Sequence, residues 1–149
     1  MFVRVMMTLV GVCCLAVLGV SAGQDGKGDA TQTDEEKFVG DWDVVSAVKK
    51  GQKAPDDALS NMKVTFAKAG KLTFSDGTKT MEVTYKMDAS KSPKEIDVTE
   101  QDNLHKGIYA FDGDKLKICV AHPPLDRPTE FASPDGENLV YFVLKRAPK

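Results

Sequence analysis

The sequence predicts an all-β protein, an antiparallel up-and-down β-barrel of about eight strands preceded by one short helix. Three observations predict it. From Gly40 onward, runs of apolar, β-branched and aromatic residues recur at short intervals, and no helical period lasts beyond one or two turns. The connectors Lys68-Ala69-Gly70, Ser75-Asp76-Gly77-Thr78, Asp112-Gly113-Asp114 and Pro134-Asp135-Gly136 carry glycine for positive φ, as hairpin turns require. The helical crossovers that parallel strands need are missing, because the only later helix signal is the brief Pro55-Asp56-Asp57-Ala58-Leu59. Closure into a barrel is favoured over a two-sheet sandwich because it removes exposed strand edges. A sandwich also needs longer cross-over connections, and the only long one here runs from Ala121 to Asn138.

In chain order, Met1 to Arg4 supplies a positively charged start, and Met6 to Val20 is a predominantly apolar run. Val20-Ser21-Ala22 then offers compact residues where a signal peptidase reads, and the chain turns polar beyond it. A signal peptide over 1–22, cleaved after Ala22, is therefore expected, with export to the periplasm or beyond the cell. A retained membrane anchor is the alternative, but the run is shorter than the roughly 20 residues a spanning helix needs. Lipidation at Cys13 or Cys14 is disfavoured, since Gly11-Val12 lacks the small residue expected directly before a lipidated cysteine. Cleavage would leave Cys119 alone, so the exported domain must hold together through its core rather than through disulfides. Cys119 reads as a packed strand residue.

Residues 23–32 are small and polar and are expected to form a disordered leader, followed by the barrel domain over 33–149. Thr33-Asp34-Glu35-Glu36 has the capping-box pattern with acidic groups at the positive end of a short helix, and Phe38 would close that turn against the core. Strands are expected over Trp42 to Lys49, Met62 to Phe66, Lys71 to Phe74, Thr80 to Met87, Glu95 to Thr99, Gly107 to Phe111, Lys115 to Ala121, Thr129 to Ala132 and Leu139 to Arg146. Alternation is cleanest in Met81-Glu82-Val83-Thr84-Tyr85-Lys86-Met87, where the odd positions should face inward. The expected interior comprises Val64 and Phe66, Leu72 and Phe74, Met81, Val83, Tyr85 and Met87, Ile96 and Val98, Ile108, and Leu116 with Ile118.

The formal net charge of -2, with both signs interspersed, argues against nucleic-acid binding. No nucleophile elbow, phosphate-binding loop or dinucleotide fingerprint is present, so neither an enzyme nor a cofactor is expected. His105 and His122 lack the close spacing of metal-ligand pairs and read as surface histidines in separate loops, with a place at the barrel mouth open to His122 ahead of Pro123-Pro124. Arg127-Pro128-Thr129-Glu130-Phe131 stands out because it combines two charges and an aromatic in the longest loop. Two roles are open: Arg127 and Glu130 pair with each other or with strand ends to fix the loop, or Arg127 reaches the cavity to hold a carboxylate beside Thr129 and Glu130.

Gly40-Asp41-Trp42, following a short helix and opening the first strand, resembles the Gly-x-Trp signature of lipocalins and related calycin barrels. The resemblance implies that Arg146, in the last strand, lies across Trp42 and closes one end of the barrel. A longer resemblance is to an uncharacterised lipocalin-like domain family of exported planctomycete proteins. It is carried by Gly40 to Ser46, Pro93 to Thr99, Gly107 to Cys119, Arg127 to Phe131 and Val143 to Arg146. That family implies the fold and supplies no settled activity.

The functional expectation is a barrel that binds a small apolar or amphipathic ligand, with Phe74, Met81, Tyr85, Met87 and Arg127 to Phe131 as candidate contacts. Met62, Met81 and Met87 suit an adaptable wall. The rival is a filled barrel acting as an interaction or structural module toward a protein partner of unknown kind, with a cofactor-using enzyme on the same scaffold as a remote third reading. Whether such a barrel is hollow or packed is open at the level of sequence.

Overall fold

A computed structural model describes residues 33–149; the expected signal peptide and polar leader lie outside the described residues. Thr33 caps the short helix α1 (Asp34–Phe38): its Oγ1 accepts from the Glu36 amide at 3.2 Å, while its own amide donates to Glu36 Oε2 at 2.9 Å. The strands that follow are β1 (Gly40–Lys49), β2 (Gln52–Lys53), β3 (Lys63–Ala67), β4 (Lys71–Ser75), β5 (Thr80–Asp88), β6 (Lys94–Glu100), β7 (Asn103–Asp112), β8 (Lys115–Ala121) and β9 (Leu139–Arg146). A second helical turn, α2 (Asp56–Leu59), links β2 to β3 and buries Leu59.

Each strand from β3 to β9 pairs antiparallel with the next, β1 pairs with β3, and β1 also pairs with β9 from Trp42↔Arg146 to Lys49↔Val140. Those pairings close an eight-stranded antiparallel barrel of lipocalin-like form. The two-residue β2 stands outside the ring, folded back on the end of β1 through Val48↔Lys53 and Lys49↔Gln52. A register shift between Val44 and Ser46 gives β1 its bend, and inward-facing positions move from Trp42 and Val44 to Ala47 and Lys49.

At the end where β1 begins and β9 finishes, α1 inserts Phe38, fully buried, among the rings of Phe66, Tyr85, Tyr109 and Phe111. Trp42 donates its indole Nε1 to the Phe38 carbonyl at 2.8 Å. Arg146 lies across the Trp42 ring at 4.1 Å, and its Nη1 donates to the Val39 carbonyl at 2.8 Å. Gly40 sits at φ 129°, where a Cβ would come within 2.5 Å of that same Nη1, so the position needs both the conformational freedom and the empty volume of glycine. The helix is further tied down by Asp34, whose Oδ2 takes the Lys94 ammonium at 2.6 Å and the Tyr109 hydroxyl at 2.9 Å. Burial raises the Asp34 carboxyl, but these two hydrogen bonds and the nearby Lys94 and Lys37 charges outweigh it and hold the group below its ordinary value.

The structure corrects two expectations about the strands and the interior. Thr129 to Ala132 is not a strand: the chain turns there, with the Ala132 amide donating to the Glu130 carbonyl at 3.1 Å. Ile108 does not face the interior, because the inward side of β7 is carried by His105, Gly107, Tyr109 and Phe111. Ile108 instead lies opposite Cys119 on the outer face, where both are buried and the Cys119 thiol donates to the Ala132 carbonyl at 3.3 Å. The connection from 122 to 138 is thus a flap laid over the outside of the barrel.

Candidate functional site

Above the aromatic plug the barrel is hollow. A cavity of about 910 Å³ opens at the end opposite Trp42, where β1 turns into β2 and β6 into β7. Its floor is the layer of Phe66, Ile96, Ile118 and Leu144, which also belongs to the packed core. Its walls are Val64, Leu72, Phe74, Val83, Val98, Val120, Val140 and Phe142, and Met62 and Met81 stand on one side of the mouth. Strand alternation produces this wall: in β5, Val83 and Tyr85 turn inward and the even-numbered residues turn to water, as the sequence predicts. Two rings of this wall, Phe74 and Phe142, lie tilted against each other with centroids 6.4 Å apart.

The candidate residues separate into three groups. Phe74 and Met81 line the cavity. Tyr85 and Met87 are directed inward lower down: Tyr85 belongs to the plug around Phe38, its hydroxyl donating to the Ala67 carbonyl at 3.3 Å, and Met87 packs against the core. Arg127, Thr129, Glu130 and Phe131 lie in the flap and not along the cavity. Arg127 grips the outer side of β6 and β7: its Nη1 is 2.6 Å from Asp97 Oδ1 and donates to the Gly107 carbonyl at 2.7 Å, and its Nε is 3.4 Å from Glu95. Strand alternation explains the placement, since Glu95 and Asp97 flank the inward-facing Ile96 and point the opposite way. Of the two roles open to Arg127, the geometry is that of a loop anchor, with strand carboxylates rather than Glu130 as its partners. Phe131 rests near the Tyr141 ring, 6.2 Å between centroids, also outside.

The polar chemistry of the mouth comes from residues with no motif in the sequence. His105 is inside the barrel and only 8% exposed, and its ring meets that of His122 edge-on at 4.7 Å between centroids. Sequence distance conceals the pair; β7 and β8 are neighbours, and His122 follows directly on the end of β8. The surface placement expected for His105 fails because β7 begins at Asn103, ahead of the expected Gly107, which sets His105 on the inward parity. Neither ring nitrogen of His105 has a hydrogen-bond partner among the described residues, and Glu100 Oε2 stands 3.7 Å from its Nε2. Burial pushes the His122 imidazole below its ordinary pKa, and His105 and Lys49 push it further against the opposing pull of Glu100. Lys49, Lys50 and Lys53 from the β1–β2 hairpin and Asp135 from the flap complete the rim.

The flap reaches this rim through Ser133, which is buried. Its Oγ donates to the Leu139 carbonyl at 2.6 Å and accepts from the Lys50 amide at 2.9 Å, and its carbonyl accepts from the Gly51 amide at 2.8 Å. One edge of the mouth is therefore held in place from outside the barrel. Among the described residues, no group of three His, Cys, Asp or Glu side chains is arranged to hold a metal ion, and no helix is long and apolar enough to cross a membrane. Burial raises the Cys119 thiol pKa and the Ala132 contact only partly offsets this, so Cys119 is a packing residue and not a thiolate. Comparison of the chain with protein-family models, with curated proteins and with solved structures found no significant match to any of them.

Proposed function

We propose that the protein is an exported lipocalin-like barrel that binds one small apolar or amphipathic molecule in its cavity. The observation that carries the reading is the cavity itself: about 910 Å³, walled mainly by aliphatic and aromatic side chains and open at one end. Pockets that take small molecules have volumes of about 300 to 1,000 Å³ and the same mix of apolar wall and few polar groups. The methionines at the mouth add a wall that can adapt its shape. The space also favours this reading over that of a filled barrel acting through its outer surface. Membership of the exported planctomycete lipocalin-like family is part of the proposal, supported by the Gly40, Trp42 and Arg146 arrangement and by the signal-like Met1 to Ala22 segment.

Native mass spectrometry of the purified protein, before and after extraction with organic solvent, tests the reading. The expected result is a discrete adduct of ligand size that extraction removes and an added apolar probe replaces at one per chain. Failure to retain or take up any apolar molecule would sink the proposal.

A further inference from the structure

The mouth of the cavity carries a polar group whose bonding capacity is unspent. An imidazole in either protonation state bears at least one N–H, and a buried donor or acceptor left without a partner costs roughly 1 to 3 kcal/mol. His105 is in this position: its ring lines the cavity wall, both of its nitrogens are buried and unbonded among the described residues, and His122 is packed against it. The remaining wall below them is apolar, so a ligand lying in the barrel would bring only one end to polar groups.

We propose that His105 and His122 form a head-group subsite, and that the ligand is an apolar molecule ending in a single carboxylate. The inference rests on the ligand-binding reading above and specifies its chemistry. The charged groups acting on the pair are Lys49 and Lys50 at the end of β1 and Glu100 at the end of β6, and Lys53 on β2 and Asp135 on the flap line the same mouth. Three cations against two anions leave the mouth positive before any charge on the imidazoles is counted. Glu100 is the opposing element, but its side chain is 39% exposed and water can solvate it when a ligand carboxylate takes its place beside His105. A carboxylate in the place of Glu100 would give an imidazole N–H a charge-assisted hydrogen bond and would oppose the lysine charges that, after burial, hold His122 below its ordinary value. Binding therefore takes up protons, and affinity rises as pH falls through the histidine range.

Isothermal titration of the protein with dodecanoic acid, dodecanol and dodecylamine, at about pH 6 and about pH 8 and in buffers of different ionisation enthalpy, reads both parts of the proposal. The expected result is dodecanoate binding about tenfold tighter than dodecanol at the lower pH, with proton uptake, and dodecylamine weakest. His105→Leu and His122→Leu should erase the preference for the acid while dodecanol binding, which also reports that the fold is intact, changes little. Proton uptake by the unaltered protein on binding dodecanesulfonate, whose head group stays ionised and cannot itself take the proton, is an independent readout if a variant does not fold. Equal binding of acid and alcohol without proton linkage would overturn the head-group assignment and leave the cavity reading standing. Failure of all three to bind would remove both.

Discussion

Gly40, Trp42 and Arg146 work as one unit at the closed end. Arg146 is exposed and held by the Trp42 face and by backbone carbonyls of the α1 region, so Arg146→Ala should cost about 0.5 to 2 kcal/mol in a denaturant titration. Gly40→Ala should cost about 1 to 3 kcal/mol, because it adds backbone strain to a collision with the guanidinium. An alanine variant as stable as the parent would mean that the closing contact is absent in solution. At the other end, the environment of His122 predicts an NMR titration midpoint below the ordinary value of about 6.5. A midpoint at or above that value would place the ring in water. Arg127 belongs to neither end. Arg127→Ala should lower the melting temperature by releasing the flap from Glu95 and Asp97, and should leave the affinity for an apolar probe within about twofold, as expected for a residue distant from the site.

Among the elements, α1 is the plug of the closed end, with Phe38 fully buried among four aromatic rings. Phe38→Ala should destabilise by about 3 to 5 kcal/mol, and Trp42→Ala, which also loses the bond to the Phe38 carbonyl, by a similar amount. The Asp34 contacts make the attachment of α1 depend on pH. Because the folded-state pKa is lowered, their contribution is present above the carboxyl's unfolded value of about 4 and is lost as pH falls through the folded one. Asp34→Asn should therefore be less stable than the parent near neutrality and converge with it in acid; a difference constant with pH would contradict the assignment.

The same scale shows what the sequence reveals. The alternation of β5 is readable because its outer face meets water, so period and burial agree. In β7 and β8 they disagree: the flap covers the outer face, Ile108 and Cys119 are buried there, and the apolar pattern no longer says which side is in. That ambiguity makes Ile108 read as an interior residue and conceals the inward parity of His105. The two-residue β2 is too short to carry any pattern. The Arg127 motif was visible as an unusual cluster, but its direction depends on which way Glu95 and Asp97 face, a consequence of β6 pairing that only the assembled sheet reveals.

For the whole molecule, the division of one barrel into a filled lower half and a hollow upper half is the central feature. The filled half holds Phe38, Tyr85, Tyr109 and Phe111 and supplies stability; the hollow half is walled mainly by valine and leucine, with Phe74 and Phe142, and supplies the site. An eight-stranded barrel is at the size where either outcome is accessible, and the aromatic content of each layer decides between them. The most direct measurement is a fluorescence titration with an apolar probe of the parent protein and of Val83→Trp, which puts a large ring into the hollow half from a wall position. Saturable binding of one probe per chain, weakened about tenfold or more in the variant while its melting temperature is retained, is the predicted result. Equal probe affinity in the two proteins, or no saturable binding by the parent, would contradict a ligand site inside the barrel.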